Sequence, residues 1–284
     1  MNNIIPQICQ NVEVRSGSVY DHKTDRSYQL NPISEKILEY CDGTNNIGQI
    51  TEKICADCEV AEDEKAEVSN DVREFILTSN SQYLVNCIQP GISGVLRSLF
   101  LAEKYYKRID INSESPFLVF AHELLIVGKM FSGAAAVALL LPLIISAAAV
   151  LAGLPAAFAF RIIGIVFSFL LGALIGTVLH ETTHVLLYRR KEPKGGFMVK
   201  KGLTLMFVRK IFNETFLTKI CGGGISGLIG IAGIILYLCG VPCFHNIFCL
   251  FFSIGLSVQL LNLLPISGDG KEIFNLLLMK ILRG

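Results

Sequence analysis

The stretch from Ile162 to Leu179 carries no charged side chain and ends in His180-Glu181-Thr182-Thr183-His184. Its length approaches the roughly 20 apolar residues that a helix needs to cross a bilayer. Titratable groups at membrane depth are expensive unless they are paired or liganded, so the motif needs a chemical reason to be there. On a helix, His180 and His184 stand at i and i+4 on one face, where both imidazoles reach one zinc ion, and Glu181 reaches a water on that ion. Zinc brings the pKa of such a water towards ~7, and the carboxylate then serves as its general base. The five-residue pattern also arises by chance, so the rest of the chain has to decide its meaning.

Two histidines leave a third protein ligand to be found. The stretch from Ile247 to Ser267 is likewise uncharged and runs into Gly268-Asp269-Gly270, which places Asp269 at the tip of another apolar run. A carboxylate oxygen suits zinc at ~2.0–2.2 Å, so His180, His184 and Asp269 would hold the ion and leave its fourth position open to water. Asp269 is also suited to capping a short helix from about Lys271, with its flanking glycines forming a turn. Its occurrence together with the histidine motif favours the ligand reading.

The chain is 52% hydrophobic and 17% charged, and the apolar excess lies after residue 115. Four runs there are long enough to cross a membrane, at about 132–153, 157–188, 220–240 and 246–267. Residues 1–88 hold 7 Lys+Arg against 15 Asp+Glu, whereas the remainder holds 18 against 9. Of those later basic residues, all but Arg161 fall before the first run, between the second and third, or after the fourth. The positive-inside rule then puts both termini and 189–219 in the cytoplasm of a multi-pass protein of the cell (inner) membrane, and brings His180, Glu181, His184 and Asp269 to one face. Between the second and third runs, residues 195–208 read as a hairpin. Its edge either pairs with an extended substrate or lies with its basic residues on lipid headgroups.

The motif His180-Glu181-x-x-His184 inside one span, followed by Asn262-Leu263-Leu264-Pro265 and Asp269-Gly270 at the end of another, resembles the site-2 protease family of intramembrane zinc metalloproteases. The resemblance covers roughly Ser132 to Gly284. It implies a polytopic α-helical core, Zn2+ on His180, His184 and Asp269, Glu181 as the residue that activates water, and Asn262 as the group that positions the substrate carbonyl. The family's usual Leu-Asp-Gly reads Gly268-Asp269-Gly270 here, and Cys221-Gly222-Gly223-Gly224 stands where many members carry Ala-Gly-Pro.

Several other features carry no chemistry in this reading. His122-Glu123 begins like a second metal motif, but Ile126 occupies the position of its second histidine. Cys55-Ala56-Asp57-Cys58 is a C-x-x-C without a partner pair and reads as small buried residues. The start, Met1-Asn2-Asn3, lacks the basic opening of a cleavable signal peptide.

Residues 1–88 are globular in character. Val12–Tyr20 and Ser27–Leu30 read as strands around the turn Asp21–Arg26, followed by helices near Ile33–Tyr40, Ile47–Cys55 and Asp63–Ser79. This is a small α+β winged-helix arrangement. Tyr28-Gln29-Leu30-Asn31-Pro32, Ile37-Leu38, Cys41-Asp42-Gly43, Ile47, Ile50 and Asp71-Val72-x-x-Phe75-Ile76 resemble the PqqD-like peptide-binding fold, whose members recognise leader segments of ribosomally made, modified peptides. The resemblance implies a leader added as a strand beside Ser27, Tyr28, Gln29 and Leu30 and resting on the helix around Asp71, Val72 and Phe75. The acidic balance argues against nucleic acid, whose phosphates supply most of the affinity.

Residues 89–131, with Lys104-Tyr105-Tyr106-Lys107-Arg108, read as an interfacial linker, and 132–284 as the membrane domain. The expected function is a membrane zinc endopeptidase that cleaves a leader-bearing precursor during its maturation. The alternatives are a protease that releases a membrane-bound regulator and a non-catalytic binding, export or immunity protein.

Overall fold

The computed structural model describes residues 3–91, 94, 104–112, 115–190, 192–193, 195–202, 204–210 and 216–283. The chain divides into two compact units, residues 1–112 with 194–210, and residues 113–193 with 211–284.

The first unit contains β1 (Ile5–Ile8), β2 (Val12–Arg15), β3 (Ser18–Asp21), β4 (Arg26–Gln29), α1 (Pro32–Glu39), α2 (Ile47–Asp57), α3 (Lys65–Ser81), β5 (Val85–Ile88), β6 (Lys107–Ile109), β7 (Phe197–Lys201) and β8 (Thr204–Val208). The strand expected over Val12–Tyr20 is two strands, because Gly17 turns the chain with φ +72°, a backbone region that glycine enters without steric cost. α1 starts where Asn31 accepts from Ser34 N, with Pro32 in the first turn. α2 starts on a reciprocal cap between Asn46 and Gln49. Their apolar faces and that of α3 bury Ile37, Ile47, Ile50, Ile54, Val72 and Ile76 in one core. Between the first two helices, Thr44 and Asn45 donate to the Asp42 carboxylate and hold its pKa down to about 2. Burial pushes the thiols of Cys9 and Cys87 up to about 12, as expected of inert, reduced side chains.

This unit extends past the expected boundary at residue 88, and the reason is electrostatic. Arg108 is buried in β6, where its guanidinium donates to Asp21 at 2.9 Å and Asp110 at 3.0 Å and lies 3.8 Å from the ring centre of Phe197. Buried charges are tolerable only when matched, so Asp21 at the end of β3 requires this later segment. The side chain of Asn80 bonds the Tyr106 backbone, and that of Asn86 bonds the Arg108 backbone. β6, β7 and β8 form an antiparallel sheet, so the expected hairpin is present and gains a third strand. Residues 104–112 are therefore part of a folded core and not an interfacial linker, while 92–93, 95–103 and 113–114 of the expected linker lie outside the described residues.

The second unit is helical, with α4 (Pro116–Leu151), α5 (Ala156–Arg189), α6 (Phe216–Leu238), α7 (Ile247–Ser257), a 3-10 segment (Val258–Leu263) and α8 (Gly268–Arg283). Among the described residues, three helices are long and apolar enough to cross a membrane, and a fourth span exists if Ile247–Leu263 and Gly268–Met279, bent by 45°, are taken as one. α4 begins at Pro116, well before the expected start at 132, and its buried stripe of Val119, Ile126, Val127 and Met130 starts within its first turns. The last apolar run is broken where a continuous span was expected. Leu264 is extended and Pro265 offers no N–H, which ends the ladder before α8 begins. Exposed Leu140, Leu141 and Ile144 on α4 form the kind of surface that lipid covers. At Gly172, an added Cβ would sit 2.1 Å from Phe252 O, so glycine is what lets α5 pack on α7.

Candidate functional site

α5 carries His180 and His184 on one face, as the spacing requires, and both rings are buried. Asp269, in the first turn of α8, brings Oδ2 to 3.1 Å from His180 Nε2 and 3.4 Å from His184 Nε2. Three ligand atoms at ~2.0–2.2 Å from a tetrahedral ion stand about 3.4 Å apart, a spacing that the two Asp269 contacts approach. Beyond that contact with Asp269, the buried His184 Nε2 makes no hydrogen bond, as a metal-directed lone pair would not. A donor set of two imidazoles and one carboxylate also suits zinc. Among the described residues, this is the one group of three or more His, Cys, Asp or Glu whose ligand atoms converge, all within 4.8 Å of one another. Cys55, buried, and Cys58, exposed, join no such group.

Glu181 follows His180 directly and so points from the neighbouring sector of α5. Its carboxylate accepts no hydrogen bond from the described residues and is therefore available to a water.

The position of Asp269 comes from the broken segment before it. Ser267 Oγ donates to Asn262 O and accepts from Gly270 N, tying the start of α8 back to the 3-10 segment. Gly270 cannot be larger, because a Cβ there would fall 1.7 Å from Leu264 O. Asn262 Nδ2 donates to Gln259 Oε1, and Gln259 Nε2 donates to Thr177 Oγ1 on α5, each at 2.8 Å. This chain of side chains fixes Asn262 relative to the helix that carries the histidines. Gln259 and Ser267 escaped the sequence reading, since only their partners across the fold give them meaning.

Gly222 on α6 closes the other side of the cluster. An added Cβ would lie 2.4 Å from His184 Nε2, whereas at Gly224 the nearest such atom is 3.4 Å away. Gly222→Ala is therefore expected to weaken zinc binding by about 10- to 100-fold, comparable to loss of an outer-shell partner. Gly224→Ala should leave it unchanged. Competitive chelator titration of the two variants checks this, and equal affinities would mean that the ring does not hold its position on metal binding.

The expected peptide-binding residues divide into two groups. β4 is at the end of the sheet β2-β3-β4, with Ser27 and Gln29 exposed and Tyr28 and Leu30 half-buried. Leu30 N–H donates to Gly17 O, so the strand's alternation turns the backbone groups of Ser27 and Gln29 outwards. Tyr28, Leu30 and Phe75 pack on one apolar cluster, and Asp71 is exposed on α3. Val72 does not belong with them. It is 1% exposed in the core, on the face of α3 that meets α1 and α2, and has no surface to offer a peptide.

Residues 18–85 match the family described as Coenzyme PQQ synthesis protein D (PqqD). The N-terminal domain is thus PqqD-like over these residues. Comparison with curated proteins and with solved structures gives no match.

Proposed function

We propose that the chain is a membrane-embedded zinc endopeptidase that captures the leader of a ribosomal peptide precursor with its PqqD-like domain and cleaves the precursor during maturation. The observation that carries the reading is the convergence of His180, His184 and Asp269, with Glu181 between the two histidines on α5. A zinc ion held by the three would supply Lewis acidity to a water and to the scissile carbonyl. Glu181 would take a proton from the attacking water and pass it to the nitrogen of the departing amine, balancing the hydrolysis. Asn262, braced through Gln259, would hold the substrate carbonyl. The last assignment and the likeness to site-2 proteases rest on the motif residues.

Recognition would occur at β4. A leader laid along it meets the outward backbone groups of Ser27 and Gln29, with Tyr28, Leu30, Asp71 and Phe75 to choose among side chains. Linking capture and cleavage in one chain raises the local concentration of the scissile segment, so its own recognition need not be strong.

The proposed topology has both termini and 194–210 on the cytoplasmic side. Residues 1–112 and 194–210 fold as one unit, and two membrane-length helices separate them in sequence, as an exit and a return require. The positive-inside bias then chooses the side.

Incubating the zinc-loaded full-length chain with the precursor encoded beside it, followed by mass analysis, tests the reading. A discrete cleavage that chelation stops is the expected outcome. Failure to cut that precursor, with leader binding retained, would favour the binding or immunity alternative, and cleavage of a membrane-bound regulator in its place would favour regulated intramembrane proteolysis. Gln29→Pro should weaken leader binding roughly fivefold, the value of one lost backbone hydrogen bond of about 1 kcal/mol, with zinc content unchanged. Fluorescence anisotropy with a labelled leader measures it, and unaltered affinity would place the leader elsewhere.

A further inference from the structure

α8 has three sides. Ile273 faces the protein and is buried, and Glu272 and Asn275 are exposed on a polar side. On the third side Phe274, Leu277, Leu278 and Ile281 recur at i, i+3, i+4 and i+7, and each is between 40% and 73% exposed. An apolar stripe of that width normally faces a core, so four large side chains left bare on it call for a cover.

The helix is not needed to complete a membrane crossing. α7 has 11 residues and the 3-10 segment has 6. At ~1.5 and ~2.0 Å per residue they rise about 29 Å together, against a hydrocarbon thickness of ~30 Å. Neither contains a charged side chain, whereas the 16 residues of α8 include Asp269, Lys271, Glu272, Lys280 and Arg283. Adding the ~24 Å of α8 to the same span would carry it past the ~40–45 Å of a bilayer with its headgroups. The chain instead bends by 45° between the two parts. Exposed Leu264 and Ile266 continue the bare apolar surface through the bend.

We propose that α8 lies in the membrane interface with Phe274, Leu277, Leu278 and Ile281 against the acyl chains, and that lipid thereby holds the helix that carries Asp269. An amphipathic helix binds in this way with its apolar face sunk ~5–10 Å into the boundary between headgroups and chains. Glu272 and Asn275 then meet headgroups and water. Because Asp269 is in the first turn of α8, the depth of the helix sets how close its carboxylate comes to His180 and His184. The lipid contact stands apart from the endopeptidase reading, and only its effect on Asp269 rests on the zinc assignment.

The chain contains no tryptophan, so a single introduced one reports without background. Full-length Phe274→Trp, Ile281→Trp and Asn275→Trp proteins, in vesicles of phosphatidylcholine and phosphatidylglycerol, are to be quenched by phosphatidylcholines that carry a nitroxide at different depths. The first two are expected at equal shallow depths, within about 3 Å, and the third is expected to be quenched about twofold less. A difference near the ~10 Å that separates the first two along a helix axis would make α8 part of a span and overturn the proposal. Equal quenching of Asn275→Trp would overturn it too. So would an absence of quenching in the first two, by showing that protein covers the face. Leu277→Glu combined with Leu278→Glu changes exposed positions alone. It is expected to bring the Phe274→Trp reporter nearer the surface and to weaken zinc binding roughly tenfold in the same vesicles. Parental zinc affinity despite the displaced helix would overturn the link to Asp269. If the depths are as expected but the parent binds no zinc, the lipid contact stands and the metal reading fails.

Discussion

Glu181→Gln is expected to retain zinc and lose hydrolysis, with kcat falling by about 10²- to 10⁴-fold, the usual contribution of a general base. The amide matches the carboxylate in shape, so the packing of α5 should survive, but it cannot take a proton from water. Zinc content separates this from a folding defect, because His180, His184 and Asp269 are untouched. Leader affinity should also stay at the parental value, since β4 and α3 belong to the other compact unit. Residual cleavage near the parental rate in a zinc-loaded Glu181→Gln protein would remove Glu181 from the mechanism.

Asp269→Ala is expected to lose most of its zinc, by more than the roughly 10- to 100-fold that loss of an outer-shell partner costs. Its Oδ2 stands close to both histidine nitrogens, so removal takes away one of three protein ligands and the only negative one. His180→Ala and His184→Ala should behave alike. The same variants should lose the thermal stabilisation that added zinc gives the parent, because an ion that binds only the folded chain stabilises it in proportion to its occupancy. If Asp269→Ala binds zinc as the parent does, Asp269 only caps α8.

The convergence of His180, His184 and Asp269 was the most legible part of the chain. Its two histidines are four residues apart on one helix, so local geometry alone puts them together, and Asp269 was visible because an acidic residue at the tip of an uncharged run is conspicuous. The residues that orient these ligands were not legible. Gly222 reads as a helix-packing glycine until His184 is seen against it, and Gln259 as a polar interruption until Thr177 and Asn262 are seen on either side. In the N-terminal unit, the helices could be placed from their caps and apolar spacing. The pairing of Ile5–Ile8 with Val85–Ile88 could not, since strands so distant in sequence share no local signal. Val72 was misplaced for a related reason. One face of α3 meets the core and the next meets solvent, and the sequence shows the stripe without saying where its border falls.

The Arg108–Asp21 contact also bears on how such a protein can diversify. A PqqD-like module that ended at residue 88 could be exchanged for another by a single gene fusion, with the helical unit left as it is. Here the module is closed by a strand beyond that point and by a hairpin inserted far downstream, so one crossover would strand Asp21 without its guanidinium and Phe197 without Tyr83. A working chimera needs matched junctions on both sides of the first two long helices. On the proposed reading, adaptation to a new precursor would therefore be channelled into point changes along β4 and α3, with leader and reader changing in small, paired steps.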